Sequence, residues 1–344
     1  MKKVYLIIGV IVLIGVVIAL SVLRNNNGET ITNVSKIYKS SELFTNRDLE
    51  QNANTSNATK YDVSDGKNIN ITSEGVFVIS GTAKNVTIYV EAGDSDKVQI
   101  VLDNVSITNE TMPVIYVKTA DKVFVTSNGS NSLKVTGTLN IESTQNGITG
   151  KDDIKITGGK YNIKSIAVAI RANDSIRIAD GNLTINAGTD GLHAENSSDD
   201  TKGYVFIAKG NINIEATDDC IHGGSVVQID DGTITLNGAE GIEGTYVQIN
   251  GSTITINATG DGINAGNKSN SYKVTIEITG GNLTIVMADG DTDGIDSNGD
   301  LIVSGGTINV TGSSTFDYDG TATFIGGTII VNGVQVDAIP KSSK

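Results

Sequence analysis

A right-handed parallel β-helix is the all-β fold predicted by this sequence, and three observations predict it. The first is a repeat. Seven segments share one pattern: Asn146-Gly147-Ile148-Thr149, Val168-Ala169-Ile170-Arg171, Asp190-Gly191-Leu192-His193, Asp219-Cys220-Ile221-His222, Glu240-Gly241-Ile242-Glu243, Asp261-Gly262-Ile263-Asn264 and Asp293-Gly294-Ile295-Asp296. Their first residues are 22, 22, 29, 21, 21 and 32 apart, the period of a solenoid of stacked units. The second is alternation: in Thr253-Ile254-Thr255-Ile256-Asn257 a period of two sends Ile254 and Ile256 inward and their neighbours outward. The third is punctuation by Gly pairs or close variants, namely Gly158-Gly159, Asp231-Gly232, Gly280-Gly281, Gly305-Gly306 and Gly326-Gly327.

Each element follows from this syntax. A strand such as 253–257 comes first, then a turn carrying the acid, then Gly-Ile-x as a second strand. A third strand such as Val247-Gln248-Ile249 ends at the Gly pair. Three short strands per period make one coil, and residues 86–332 hold about ten. A propeller blade needs roughly twice this period, and a sandwich would need hairpin turns without the registered Gly-Ile unit.

The composition agrees. Among 344 residues there are 40 Gly, 2 Pro and no Trp, with aromatics at 5%, which suits short strands joined by Gly, Asn and Asp turns. The net charge of −14 argues against nucleic acid and anionic membrane surfaces as partners and favours cations. The one cysteine, Cys220, has no partner for an internal disulfide. It falls in the small-residue column beside Gly191 and Gly241, a packing position.

Three parts are expected along the chain. Lys2 and Lys3 precede an uncharged apolar run over 4–23, long enough to cross a bilayer as a helix. With no Ala-x-Ala site behind it, residues 1–24 are expected to be an uncleaved signal anchor that leaves the body outside the cell; a cleaved signal and a secreted protein are the alternative. Residues 25–60 are rich in Asn, Ser and Thr and suit a polar stalk, with a short helix over 41–51. Residues 61–340 form the β-helix.

The repeat stacks acids. Asp190, Asp219, Glu240, Asp261 and Asp293 fall one above another, about 4.8 Å apart. Neighbouring carboxylates at that spacing repel by roughly 3–4 kcal/mol at an effective dielectric near 20, so a bound cation is expected. Ca²⁺–oxygen distances of about 2.3–2.6 Å let one Ca²⁺ reach both of two stacked carboxylates, whereas Mg²⁺ prefers shorter bonds and retains more water. A second column lies three residues on: Thr149, Arg171, His193, His222, Glu243, Asn264 and Asp296. It adds oxygen at Glu243, Asn264 and Asp296, and Asp218 adds a carboxylate beside Asp219. The two histidines raise zinc as a candidate, but with oxygen-rich surroundings and no third nitrogen or thiolate evident a surface or sugar-contacting role is expected. Against the whole metal reading, Asp-Gly is also an ordinary turn dipeptide; the register of five acids is what favours ligation.

Two insertions, 196–203 and 266–273, follow the acid turn and emerge on one side, often the binding side of a solenoid. They bring Lys202, Lys268, Tyr272 and Lys273, with Tyr204 just beyond: aromatics to stack on a sugar and cations for its carboxylate. Plain solvated loops are the other reading.

Thr189-Asp-Gly-Leu-His-Ala194, Ala239-Glu-Gly-Ile-Glu-Gly244, Gly260-Asp-Gly-Ile-Asn-Ala265, Thr292-Asp-Gly-Ile-Asp-Ser297 and Asp317-Tyr-Asp-Gly320, with Phe44-Thr-Asn-Arg-Asp-Leu-Glu-Gln51 ahead of them, resemble the extracellular carbohydrate-binding β-helix proteins related to family 9 polysaccharide lyases. The resemblance covers about residues 44–335. It implies a calcium-containing β-helix that binds acidic polysaccharide such as polygalacturonate, and cellulose as a further glycan. A lyase of this kind would use Ca²⁺ on the uronate carboxylate and a Lys or Arg on the C5 proton. Arg171, Lys202, Lys209, Lys268 and Lys273 are candidates by location only, since none falls in a motif matching the lyase base; the alternative role for Arg171, in the second column, is to clamp a sugar carboxylate. The expectation is therefore a cell-surface binding protein, with a polysaccharide lyase and a structural surface protein or adhesin as alternatives.

Overall fold

A computed structural model describes residues 22–24, 30–32, 35–46, 48–49, 53–127, 138–143, 145–290 and 292–341. The chain divides into two units, 1–35 and 36–344. In the first, Val22–Arg24 pairs antiparallel with Thr30–Thr32. The expected membrane span over 4–23 lies outside the described residues except for Val22 and Leu23, and among the described residues no helix is long and apolar enough to cross a membrane.

The second unit is a parallel β-solenoid of about 12 turns, more than the ten expected. The extra coils lie at its N-terminal end, where Thr59–Asp62 pairs with the first part of Gly75–Lys84 and Ile69–Ile71 with Ile88–Glu91. These coils carry no Gly-Ile unit, so the repeat did not mark them.

Three ladders run along the solenoid. The first holds strands such as Thr233–Gly238, Thr253–Ala258 and Asn282–Met287. The second holds the Gly-Ile-x segments, such as Ile170–Ala172, Leu192–Ala194 and Ile263–Ala265. The third holds Ser175–Ile178, Tyr204–Ile207 and Thr275–Ile278. Every pairing is parallel until the final turn, where Thr328–Val331 meets Val334–Val336 antiparallel. In two coils, Asp219–Ile229 and Glu240–Ile249, the second and third ladders are joined in one continuous strand.

Alternation places the core inside the coils. Ile254 and Ile256 are at most 1% exposed and stack in register on Ile234 and Leu236. The second ladder contributes Ile170, Leu192, Ile221, Ile242, Ile263 and Ile295, all at 0%, so each coil adds the same branched side chains at the same height. Cys220 sits in this core, fully buried and unpaired. Burial pushes its thiol up to about 12, so it is an inert packing residue.

Glycine serves two separate purposes. At the Gly-pair corners the backbone is left-handed, with φ of 121° at Gly232, 91° at Gly281, 81° at Gly306 and 99° at Gly327, which glycine adopts without a Cβ penalty. The repeat glycines Gly191, Gly241, Gly262 and Gly294 are absent from the positive-φ set; close approach requires them. A Cβ on Gly241 would lie 2.4 Å from the carbonyl oxygen of Gly262 and 2.5 Å from the Ile256 side chain, and one on Gly262 would lie 2.4 Å from the oxygen of Gly294.

Residues 36–49, part of the expected stalk, pack on the outer face of the third ladder. The expected helix over 41–51 is a single turn, Ser40–Leu43. Gln228 holds Tyr38 like a strand partner: its Oε1 accepts the Tyr38 N–H at 2.7 Å and its Nε2 donates to the Tyr38 carbonyl at 2.8 Å. The Ile37 N–H reaches Gln248 Oε1. Tyr38 stacks on Tyr204 at 4.6 Å, and Phe44 tilts against Phe206. Lys155 Nζ bonds Asp48 Oδ2 at 2.8 Å and the Leu43 carbonyl, with the two charged side chains 4% and 0% exposed. Burial opposes the Asp48 charge, but hydrogen bonds from Lys155 and Thr45 and the Lys155 charge outweigh it and hold the carboxyl below its usual range. Lys155 is also lowered, because burial and the nearby Arg177 charge outweigh its Asp48 bond.

Asp48→Asn leaves the Lys155 ammonium buried without a countercharge and costs about 3–5 kcal/mol. The loss is local, so hydrogen exchange should rise over 36–49 and stay unchanged in the coils beyond 233. Because the Asp48 pKa is depressed in the fold, its stabilising contribution is present above about pH 4 and lost as pH falls, so acid should release the same segment; equal protection at about pH 2 and about pH 7 would contradict this. Gly241→Ala should lower stability by about 1–3 kcal/mol through overpacking against the next coil; an unchanged melting temperature would remove the close-approach explanation.

Candidate functional site

The side chains that follow the buried Ile of each second-ladder strand point outward, and the register places them in one row. Thr149 pairs with Arg171, Arg171 with His193, His193 with His222, His222 with Glu243, Glu243 with Asn264, and Asn264 with Asp296. The row continues to Asp317 at one end and to Tyr116 and Tyr89 at the other. Those two tyrosines escaped the sequence reading because their coils have no Gly-Ile unit. The available signal was the Ile-Tyr dipeptide at Ile88-Tyr89 and Ile115-Tyr116. Their rings meet edge to face at 5.9 Å.

The acid row runs beside it. Asp219 pairs with Glu240, and Asp293 with Ser314. The acids are held by main chain as well as by side chains. Asp190 Oδ1 accepts the Asp219 N–H at 3.3 Å, Asp261 Oδ1 accepts the Asp293 N–H at 3.0 Å, and Asp293 accepts the Ser314 hydroxyl. Asp218 is exposed and takes part through its carbonyl, which accepts the N–H groups of Ala239 and Glu240. Asp296 lies in the outward row, half-buried.

Part of the negative charge is answered within the protein. His193 Nδ1 lies 2.7 Å from Asp190 Oδ2, and His222 Nδ1 lies 2.9 Å from Asp219 Oδ2 and 2.6 Å from Glu243 Oε2. Lys268 Nζ is 2.7 Å from Glu243 Oε1. Burial works against a charged His222, yet its two carboxylate partners push it up to about 9. Burial also works against the Glu243 charge, but His222 and Lys268 hold that carboxyl well below the usual range. Asp219 is raised, chiefly by burial.

Negative charge is least compensated at Glu240. Burial, then the charges of Glu243 and Asp219, push it up to about 8. Asn264 Nδ2 donates to Glu240 Oε2 at 3.1 Å, while Asn264 Oδ1 is buried without a hydrogen-bond partner. An orphaned oxygen beside crowded carboxylates is a donor set suited to a hard cation.

The two insertions meet each other. The Ser269 hydroxyl donates to the Asp200 carbonyl and Asn270 Nδ2 to Asp200 Oδ2. Their cations are paired: Lys202 with Asp174 and Lys273 with Asp300. The Tyr272 hydroxyl bonds that of Tyr38, and its ring joins the aromatic cluster beneath 36–49. The sequence-predicted residues thus separate into two groups. Arg171, His193, His222, Glu243 and Lys268 come together with the acid row, while Lys202, Tyr272 and Lys273 lie toward the third ladder. An open groove of about 720 Å³ crosses four coils beside the acid row and is lined by Ala216, Thr217, Gly238, Ala258, Val286 and Met287 among others. No sequence pattern marks it, because it arises where the ends of first-ladder strands from successive coils line up.

Known proteins match this chain along most of the solenoid. A family described as carbohydrate-binding domain-containing protein matches residues 65–136, 127–245 and 238–338. A carbohydrate-binding domain-containing protein of Acetivibrio thermocellus is 34% identical over 202 residues, covering 50% of this chain and 71% of that protein. Among solved structures, a gadolinium derivative of a polysaccharide lyase-like protein from C. thermocellum aligns with a TM-score of 0.37 at 21% identity, over 79% of this chain and 96% of that one. The family match spans well over half of the sequence, and the chain belongs to the carbohydrate-binding domain-containing proteins.

Proposed function

We propose that this protein binds acidic polysaccharide, such as polygalacturonate, along the second-ladder face in a calcium-dependent way, and that residues 1–24 hold it at the outer cell surface. The observation that carries this reading is Arg171. It is half-buried in the outward row, in register with His193, and, unlike Lys202, Lys209, Lys268 and Lys273, it has no ion-pair partner among the described residues. A free guanidinium held on a strand is preorganised for bidentate contact with a sugar carboxylate. The row repeats about every 4.8 Å, so a linear polymer lying along it meets a polar side chain at each coil. Tyr116 and Tyr89 extend the row with ring faces that suit the apolar side of a sugar.

Ca²⁺ belongs to the acidic half of the row in this reading. Glu240, Glu243, Asp261 and Asn264 would hold it, with Asp219, Asp293 and Asp296 beside them and Asp190 and Asp218 farther along the acid column. The cation would supply a positive charge shared between protein carboxylates and a uronate. The anchor reading rests on Lys2, Lys3 and the apolar run that follows them.

Binding is favoured over lyase chemistry because a base must be neutral to remove a proton. Hydrogen bonds donated to Asp174 and Asp180 hold Lys202 and Lys209 above the usual lysine range, and the bond donated to Glu243 does so for Lys268 despite its burial. Lys273 is paired with Asp300.

Immobilised polygalacturonate should retain the protein in Ca²⁺, and Arg171→Ala should weaken retention about 10–100-fold through loss of a charged hydrogen-bond pair. No retention on acidic or neutral polysaccharides would end the binding reading in favour of a structural surface protein. Formation of unsaturated product from polygalacturonate would establish a lyase instead. Removal of metal by a chelator should lower the melting temperature by several degrees and Ca²⁺ should restore it, since a ligand that binds only the folded state stabilises it; an unchanged melting temperature would refute the calcium assignment.

A further inference from the structure

We propose that His193 and His222, together with Glu195, form a site for a borderline transition-metal dication such as Zn²⁺, separate from the oxygen-rich half of the row. The two imidazoles stack one coil apart, with ring centroids 4.4 Å apart and planes within 5°. They face the same way, because each presents Nδ1 to the acid three residues before it, Asp190 for His193 and Asp219 for His222. A carboxylate on one ring nitrogen is the arrangement that orients a metal-binding histidine, and the other nitrogen then binds the metal with release of its proton.

Both free nitrogens are stranded. His193 and His222 are 9% and 7% exposed, and the Nε2 atom of each is buried with no hydrogen-bond partner. Leaving two such atoms unsatisfied in one place is costly. The third donor is at hand: Glu195 Oε2 approaches His193 Nε2 to 3.4 Å on a half-exposed side chain, and the donor atoms of these three residues lie within 4.8 Å of one another. Zn–N bonds of about 2.0–2.1 Å require the rings to tilt toward each other and Glu195 to swing inward. These are side-chain rotations, and the backbone register is untouched. Two nitrogens and one carboxylate oxygen select Zn²⁺ over Ca²⁺. The neighbouring Arg171 charge opposes a cation here, while Asp190, Asp219, Glu195 and Glu243 surround it with the opposite sign.

The full protein, stripped with a chelator and supplied with excess Ca²⁺, is titrated with Zn²⁺ by calorimetry and with Co²⁺ by visible absorption. One equivalent should bind in each case, and Co²⁺ should give the intense absorption of a four-coordinate site. Asp190→Asn, which removes the carboxylate that orients His193, should weaken Zn²⁺ binding about 10–100-fold, and His193→Gln and Glu195→Gln should weaken it as well. Glu195→Gln alters a half-exposed side chain, so it keeps the test valid if a histidine variant fails to fold. Absence of Zn²⁺ binding, or an affinity unchanged in folded His193→Gln and Glu195→Gln, would overturn the site.

Discussion

Coil-to-coil register is the constraint on which the rest of this structure depends. Each strand hydrogen-bonds to its equivalent one turn away, so a residue type repeated in sequence becomes a column in space. Inside, this gives an unbroken stack of Ile, Val and Leu. Outside, the same rule sets acid on acid and histidine on histidine, which only neutralising partners make tolerable. The repeat glycines enforce the closeness, since a Cβ there would collide with the carbonyl of the following coil.

The solenoid treats its outer faces differently. The third-ladder face carries Phe206, Gln228, Gln248 and Lys155, side chains that would otherwise meet water, and residues 36–49 cover them. Gln228 supplies a side-chain amide where a further strand would offer main chain, which lets an irregular segment lie flat on a sheet whose backbone groups are already paired. The second-ladder face has no such cover from 36–49 and keeps its charged and polar row, with Arg171 in no ion pair among the described residues. This guanidinium and these crowded carboxylates are why the binding proposal is placed on the second-ladder face.

Charge along this row is graded. Nitrogen donors lie toward the N-terminal side, at Arg171, His193 and His222, and oxygen donors beyond them, at Glu243, Asn264 and Asp296. His222 and Glu243 form the junction, where an imidazole between two carboxylates takes on positive charge. Past that junction burial, and then the charges of Glu243 and Asp219, push the Glu240 carboxyl up to about 8, since Lys268 forms its ion pair with Glu243.

The sequence by itself determined the coil. The steps of 21–22 residues, the alternation in segments such as 253–257 and the Gly pairs are local patterns, and each converts directly into strand, corner or column. They also placed the acids and the His193–His222 stack, because register follows from the repeat. Coils without the Gly-Ile signature escaped, and with them Tyr89, Tyr116 and the N-terminal turns. Only the tertiary structure decided what each column meets: that the acids accept main-chain N–H groups from the next coil, that Lys268 reaches Glu243, and that Tyr272 turns to Tyr38 under a segment read as stalk. These contacts join residues as far as 234 positions apart, and no periodic pattern encodes a partner that lies outside the repeat.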